Sequence, residues 1–227
     1  MPWLAERQRT GRGALCKLQR RRFDPSAASV YLWSSDHPAP RPDPMTSSER
    51  QSLLDQRGTE RVLARMAREI VEHAGELESL VLVGVHRRGV PLASWLAEEI
   101  GRAEKMTVPT GTLDITLYRD DLMQIGPRPV VGATRLPTGG IDGLTVVIVD
   151  DVLYTGRTVR AALDELADFG RPRRILLCVL VDRGGRELPI HADIVGKSFT
   201  VGERDRVEVL VPEIDDRRGV ELVKGVS

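Results

Sequence analysis

Hydrophobic positions along this chain follow two rhythms. Residues 80–85 (Leu-Val-Leu-Val-Gly-Val), 146–149 (Val-Val-Ile-Val) and 174–181 (Arg-Ile-Leu-Leu-Cys-Val-Leu-Val) are nearly unbroken apolar runs rich in branched side chains. Such runs predict strands buried on both faces. Between them apolar residues recur at helical spacing. Leu63, Met66, Ala67, Ile70 and Ala74 share one side of a helix over 60–74. Leu92, Trp95 and Leu96 point inward from a helix over 91–100 that carries Pro91 in its first turn. Val159, Ala162, Leu163 and Leu166 share a face over 158–169, where Gly170 ends the helix. A further strand is predicted over 107–117, and short ones over 192–195 and 207–211. This alternation predicts an α/β fold with a central parallel sheet flanked by helices. In such sheets ligands gather beyond the carboxyl ends of the strands.

Residues 1–44 break the rhythm. Pro38, Pro40, Pro42 and Pro44 alternate with other residues, and arginines such as Arg20, Arg21 and Arg22 outnumber the acidic residues. That composition favours an extended, unpacked segment. It reads as a disordered leader or as sequence upstream of a true start at Met45, in preference to a basic RNA-binding arm. Residues 45–227 are then expected to form a single domain. Over the whole chain 33 Lys and Arg balance 33 Asp and Glu, so there is no global pull toward nucleic acid or an acidic membrane. Any RNA contact needs a local basic face. No apolar run reaches the roughly 18 residues of a membrane span, and no secretory signal is present. Two cysteines, Cys16 and Cys178, make no disulfide framework and fit a reducing cytoplasm, with Cys178 a small buried hydrophobe.

The strongest chemical signal follows the strand at 146–149. Asp150 and Asp151 come first, then Val152, Leu153, Tyr154, Thr155, Gly156, Arg157 and Thr158 lead into the helix at 158–169. A strand, loop and helix in that order aim amide groups and a helix amino terminus at one point, which suits an anion. Adjacent carboxylates are repelled by phosphate and call instead for hydroxyls or a metal carried by the ligand. A sugar phosphate answers both demands. A paired aspartate after a strand is also a common turn and helix cap, but the neighbouring Tyr-Thr-Gly-Arg-Thr argues against that reading. No Walker loop or dinucleotide fingerprint is present.

The segment 150–158 resembles the phosphoribosyl-pyrophosphate (PRPP) signature of type I phosphoribosyltransferases. The wider strings 114–122 (Asp-Ile-Thr-Leu-Tyr-Arg-Asp-Asp-Leu) and 181–190 (Val-Asp-Arg-Gly-Gly-Arg-Glu-Leu-Pro-Ile) resemble the PyrR family, bifunctional pyrimidine-operon regulators and uracil phosphoribosyltransferases. The resemblance runs from about Thr59 to the carboxyl terminus. It implies a type I phosphoribosyltransferase-like sheet with a small hood and a mobile loop, and a homodimer or higher oligomer. The implied reaction joins uracil to PRPP, with Mg²⁺ carried by PRPP and no metal ligated directly by the protein, giving UMP and diphosphate. Asp150 and Asp151 would take the ribose hydroxyls, and Thr155, Gly156, Arg157 and Thr158 the 5′-phosphate. Arg87 and Arg88, in the string His86-Arg87-Arg88-Gly89-Val90-Pro91, would hold the leaving pyrophosphate; read alone this is a solvated basic turn. His86 is read as structural. Arg119 would reach the pyrophosphate from an excursion over 120–144, read as mobile from Gly126, Pro127, Pro129, Gly132 and Pro137; without the resemblance this is a surface loop. Arg183 and the backbone near Val195 would meet the uracil.

The same resemblance implies a basic surface for a hairpin of pyrimidine-operon (pyr) mRNA, with Arg61, Arg65, Arg68 and Arg186 as its candidates. Arg57, Arg61, Arg65 and Arg68 cluster on one side of the first helix, a pattern that a solvated helix face also produces. The catalytic strings match the family, while Ala64, Arg68, His73, Gly185, His191 and residues 198–202 depart from it. Three functions therefore stand: a regulator that is also a transferase, a salvage uracil phosphoribosyltransferase without RNA binding, and a non-catalytic RNA-binding nucleotide sensor.

Overall fold

A computed structural model of the chain describes residues 49–118 and 133–225. Five parallel strands form the central sheet: β2 (Leu80–Val85), β3 (Thr110–Leu113), β4 (Thr145–Leu153), β5 (Arg174–Asp182) and β6 (Ile194–Ser198), in the order β3-β2-β4-β5-β6. Successive side chains leave a strand on opposite faces. Leu80, Leu82, Val147, Val149, Leu176 and Leu180 therefore join one core with α1 (Gln56–Ala74) and α2 (Gly89–Glu104), through Leu63, Met66, Ile70, Leu92, Leu96 and Ile100. Val81, Val83, Val146, Ile148, Leu177 and Val179 face the other core with α3 (Arg157–Phe169), through Val159, Ala162 and Leu166. Cys178 is buried within the first core, where burial pushes its thiol well above the ordinary range.

Sequence expectation and structure part at several edges. Helix α1 begins at Gln56, four residues before the expected start at 60, because the Asp55 side chain caps it by accepting from the Gly58 N–H at 2.6 Å. Strand β3 is shorter than 107–117. Asp114 accepts from the Thr116 N–H at 3.0 Å and from its hydroxyl, so the chain turns into a short 3₁₀ helix at Ile115–Tyr118. The strand expected over 192–195 starts later, where the Asp193 carboxylate takes the Leu177 N–H at 2.8 Å. Leu163 is exposed, and Ala161 occupies the buried side of α3 in its place. In the excursion, residues 133–144 are packed: Arg135 bridges Thr112 in antiparallel fashion and Ile141 is fully buried. The two backbone bonds of that bridge tie this stretch to the sheet.

A second, antiparallel sheet is built from β1 (Arg50–Leu54), β8 (Gly219–Val223) and β7 (Arg206–Leu210) in that order. Arg50 binds Glu208 at 2.8 Å and Glu221 at 3.1 Å, joining all three strands. Between β7 and β8 lies the short α4 (Pro212–Asp215). Among the described residues no helix is long and apolar enough to cross a membrane.

Candidate active site

The strand order reverses between β2 and β4: the chain runs from β2 outward to β3, and from β4 the other way to β5 and β6. The crevice beyond the carboxyl ends of β2 and β4 is thus the switch point, where open α/β sheets hold their ligands. Two sequence-predicted loops meet there. The arginine loop leaves β2 at His86, whose N–H donates to the Leu113 carbonyl at 2.9 Å; the His86–Arg87 peptide is cis. Its far end, Gly89, lies against β4 so closely that a Cβ would sit 2.4 Å from the Val149 carbonyl oxygen. Only glycine allows that approach.

Asp150 and Asp151 lie in the last stretch of β4, which runs beyond the expected 146–149 and pairs with β5 as far as Leu153. Asp150 is 6% exposed and Asp151 half-buried. Asp150 accepts from the Asp151 N–H at 2.9 Å, and Asp151 from the Val152 N–H at 2.8 Å. Burial first, and the neighbouring Asp151 charge second, hold the Asp150 carboxyl well above the ordinary carboxylate range. Burial also raises Asp151, against the opposing pull of the Val152 amide and the Arg88 charge. Each carboxylate accepts one backbone N–H, and together they place two acidic groups side by side in a partly buried corner. The site therefore favours a ligand that supplies hydroxyl donors or positive charge.

Arg87 is exposed. Arg88 is gripped by Asp215 of α4, with its Nε 3.2 Å and its Nη2 2.9 Å from the two carboxylate oxygens. Asp215 also accepts from the Val211 N–H at 3.0 Å. The bond to Arg88 raises the guanidinium pKa and lowers that of Asp215. No string in the sequence announces Asp215 as the partner of Arg88, because the pairing spans the two sheets.

The loop 154–156 wraps the start of α3. Gly156 has a φ of 93°, which favours glycine, and a Cβ there would sit tightly, 3.3–3.4 Å from Leu188 and Ile190. The Thr155 carbonyl accepts from the Glu187 and Leu188 N–H groups at 3.0 Å each, and Arg157 pairs with Glu187 at 2.7 Å. Arg186 ties this wall together. Its Nε donates to the Ile190 carbonyl at 3.0 Å, its Nη1 to the Tyr154 carbonyl at 2.9 Å, and its Nη2 to Asp182 at 2.5 Å. Its guanidinium is thus engaged inside the fold.

Arg183 stacks on the Tyr154 ring, 3.8 Å from Cζ to centroid, and donates from Nη2 to the Gly202 carbonyl at 3.2 Å. The residue is buried, and its Nε–H has no protein partner. Val195 lies on β6, the edge strand, beside α1. Arg61, Arg65 and Arg68 are exposed along α1. Arg119 lies outside the described residues. The structure thus brings the loops of Arg87, Arg88, Asp150 and Asp151 together at the switch point. The loop 154–156 continues from the end of β4, with Arg183 stacked on its Tyr154.

The sequence profile of the phosphoribosyl transferase domain matches residues 49–212. A curated protein of Pelotomaculum thermopropionicum, "Bifunctional protein PyrR", is 52% identical over 78% of this chain and 97% of its own length. Its namesake in Thermus aquaticus is 54% identical over 76% and 95%. Among solved structures, a hypoxanthine phosphoribosyltransferase of Staphylococcus aureus superposes with a TM-score of 0.56 at 18% identity, covering 82% of this chain and 98% of that one. The Trypanosoma cruzi hypoxanthine phosphoribosyltransferase gives 0.60 at 19%, covering 78% and 96%. At that identity the likeness carries the fold, and the α/β reading from sequence agrees with it.

Proposed function

This chain belongs to the PyrR family of phosphoribosyltransferases, and from that premise we propose that it joins uracil to phosphoribosyl pyrophosphate, giving UMP and diphosphate. The observation that carries the reading is the adjacent acidic pair Asp150–Asp151, one member buried, set at the switch point beside an arginine loop. As the base nitrogen bonds to ribose carbon 1 and the bond to pyrophosphate oxygen breaks, positive charge spreads over the ribose ring. The two carboxylates face that charge, and the ribose hydroxyls donate to them. Arg87 and Arg88 take oxygens of the departing pyrophosphate, for which a guanidinium fork is well shaped. Because Arg88 is held by Asp215, it meets the ligand with its rotamer already fixed. The amides opening α3 cradle the 5′-phosphate. The unpartnered Nε–H of Arg183 and the Val195 backbone read the base. Arg119 is proposed as a further pyrophosphate contact.

Among the described residues no group of three His, Cys, Asp or Glu side chains is placed to hold a metal ion; magnesium would enter with the donor, taking its ligands from donor oxygens and water while the acidic pair serves the ribose hydroxyls. When bound with the donor, that ion neutralises pyrophosphate charge.

The regulatory half of the proposal is that UMP in this site favours binding of a pyrimidine-operon mRNA hairpin on the exposed arginines of α1. The internal engagement of Arg186 favours a second reading, salvage without RNA, since that arginine is occupied by Asp182 and two carbonyls. The test pairs two assays: diphosphate release with uracil, guanine and hypoxanthine, and filter binding to the organism's own pyrimidine leader with and without UMP. Uracil-dependent release with UMP-enhanced RNA retention is expected. Release without retention leaves the salvage enzyme, and no release with any base refutes the transferase.

A further inference from the structure

Helix α1 is pressed onto the middle of the edge strand β6. A Cβ at Gly196 would lie 2.4 Å from the Leu180 carbonyl oxygen, 2.8 Å from the Met66 sulfur and 2.9 Å from the Val62 Cγ1. Strand on one side and helix on the other leave room only for a glycine. At this contact one side chain crosses from helix to strand: the Nη2 of Arg65 donates to the Val195 carbonyl at 2.9 Å and to the Gly196 carbonyl at 2.5 Å. Its Nη1 pairs with Glu69, one turn along the same helix. Edge-strand carbonyls need donors, and one charged nitrogen bridging two successive carbonyls fixes the peptide plane between them. Yet Arg65 is 45% exposed at its side chain, standing in the same row as the exposed Arg61 and Arg68.

We infer that Arg65 is the positioning residue of the base-reading strand and the physical link between that strand and the basic face of α1. The inference rests on the proposed contact of the Val195 backbone with uracil. A base docked at Val195 needs that peptide held in one orientation, and Arg65 holds it. A nucleic-acid phosphate arriving at the outer side of the same guanidinium competes with Glu69, an exposed i,i+4 pair that contributes little. It leaves the bonds to Val195 and Gly196 in place. Each ligand then orders a side chain the other also uses, and the second to bind loses less conformational freedom. Such coupling is reciprocal: RNA tightens UMP by the factor by which UMP tightens RNA.

The test uses the full chain, wild type, Arg65→Ala and Arg65→Lys. In Arg65→Ala the KM for uracil is expected to rise about tenfold, the scale of losing a charge-assisted hydrogen bond, with the KM for the phosphoribosyl donor little changed. Lysine restores part of the loss, having the charge but carrying its nitrogen at a different reach from the helix. Calorimetric titration of UMP with and without the pyrimidine-leader transcript should show coupling in wild type and none in Arg65→Ala. The Val195 amide resonance, followed during UMP addition to wild type, separates the two layers of the claim. An amide that does not move overturns the base site itself. An amide that moves, with unchanged uracil KM in Arg65→Ala, overturns the role of Arg65 alone. A parallel rise in both KM values with a fall in Tm also overturns it, as the mark of general destabilisation. Wild-type UMP affinity indifferent to the transcript overturns the link to α1.

Discussion

Replacing Gly89 by alanine tests whether the arginine loop is wedged against the acidic strand. The added Cβ would lie 2.4 Å from the Val149 carbonyl oxygen, 3.3 Å from its carbon and 3.4 Å from the Asp150 Cα. Carbon and oxygen normally settle about 3.3–3.6 Å apart, so loop and strand must separate by about 1 Å. All three obstructing atoms are backbone, and no flexible side chain can yield. Nor can the loop retreat toward β2, because a Cβ on Gly84 would already meet the Gly89 oxygen and the Val90 Cα at 2.5 Å. Overpacking of this kind costs about 1–3 kcal/mol, and in a chain of this size each kcal/mol lowers Tm by about 2–4 °C. A fall of roughly 2–12 °C is therefore expected. The effect on catalysis is larger in consequence. A displacement of about 1 Å between the arginine loop and the acidic pair can lower kcat/KM for the phosphoribosyl donor about a hundredfold. Scanning calorimetry and initial-rate kinetics at saturating uracil measure both. A Gly89→Ala protein with wild-type Tm and kcat/KM within about twofold refutes the idea that this backbone contact sets the geometry of the site.

Asp150→Asn should abolish turnover yet raise Tm near neutral pH. The folded-state pKa of Asp150 is raised, so its contribution to stability falls as pH climbs from the ordinary carboxylate range through the folded value. The gain from asparagine is accordingly present at neutral pH and disappears toward about pH 4; a pH-independent gain counts against burial of charge as its cause. Asp215→Asn should raise the KM for the phosphoribosyl donor several-fold, because Arg88 loses a two-point grip, and cost about 1–3 kcal/mol in urea titration. The Asp215 pKa is depressed, so wild type should lose this contribution as pH falls through the folded value while the variant shows no such loss. Arg186→Lys should lower Tm and transferase activity together, since an ammonium cannot span the Ile190 and Tyr154 carbonyls and Asp182 at once. Reduced RNA retention with unchanged Tm and turnover would instead return Arg186 to the RNA surface.

The parallel sheet was legible because its strands are apolar on both faces and its helices carry one stripe each. Val146 to Val149 and Leu80 to Val85 have no other stable placement than a covered sheet. The antiparallel sheet was only partly legible. Of its strands only β7 was expected, at 207–211. The stretch Arg50-Gln51-Ser52 is polar and exposed, and β8 spans only five residues. What makes them strands is pairing across a separation such as the 171 positions between Arg50 and Glu221, which no local pattern encodes. The ends of α1 and β3 were missed for a different reason: single aspartates, Asp55 and Asp114, decide them by hydrogen bonding to nearby backbone.

The site shows the same division between local strings and distant partners. Asp150, Asp151 and Gly156 could be found because strand, loop and helix follow one another without interruption. The arginines could be found as charges but could not be sorted by task. Arg87, Arg88, Arg65, Arg183 and Arg186 look alike in sequence, and a guanidinium fork fits two phosphate oxygens as well as two peptide carbonyls. Sorting them requires knowing which acceptors stand opposite. Arg186 meets two carbonyls and Asp182, Arg65 meets the carbonyls of Val195 and Gly196, and Arg88 meets Asp215. Arg87 is the exposed member of the arginine loop, and Arg183 keeps one donor unpartnered in a buried setting. Arginine therefore serves in Arg65 and Arg186 as a framework that holds peptide groups still, while Arg87 and Arg88 are the ones proposed to take the anion. A charge count cannot separate these uses. Substitution by lysine can, because a point charge retains much of the attraction for phosphate while losing the span between two carbonyls.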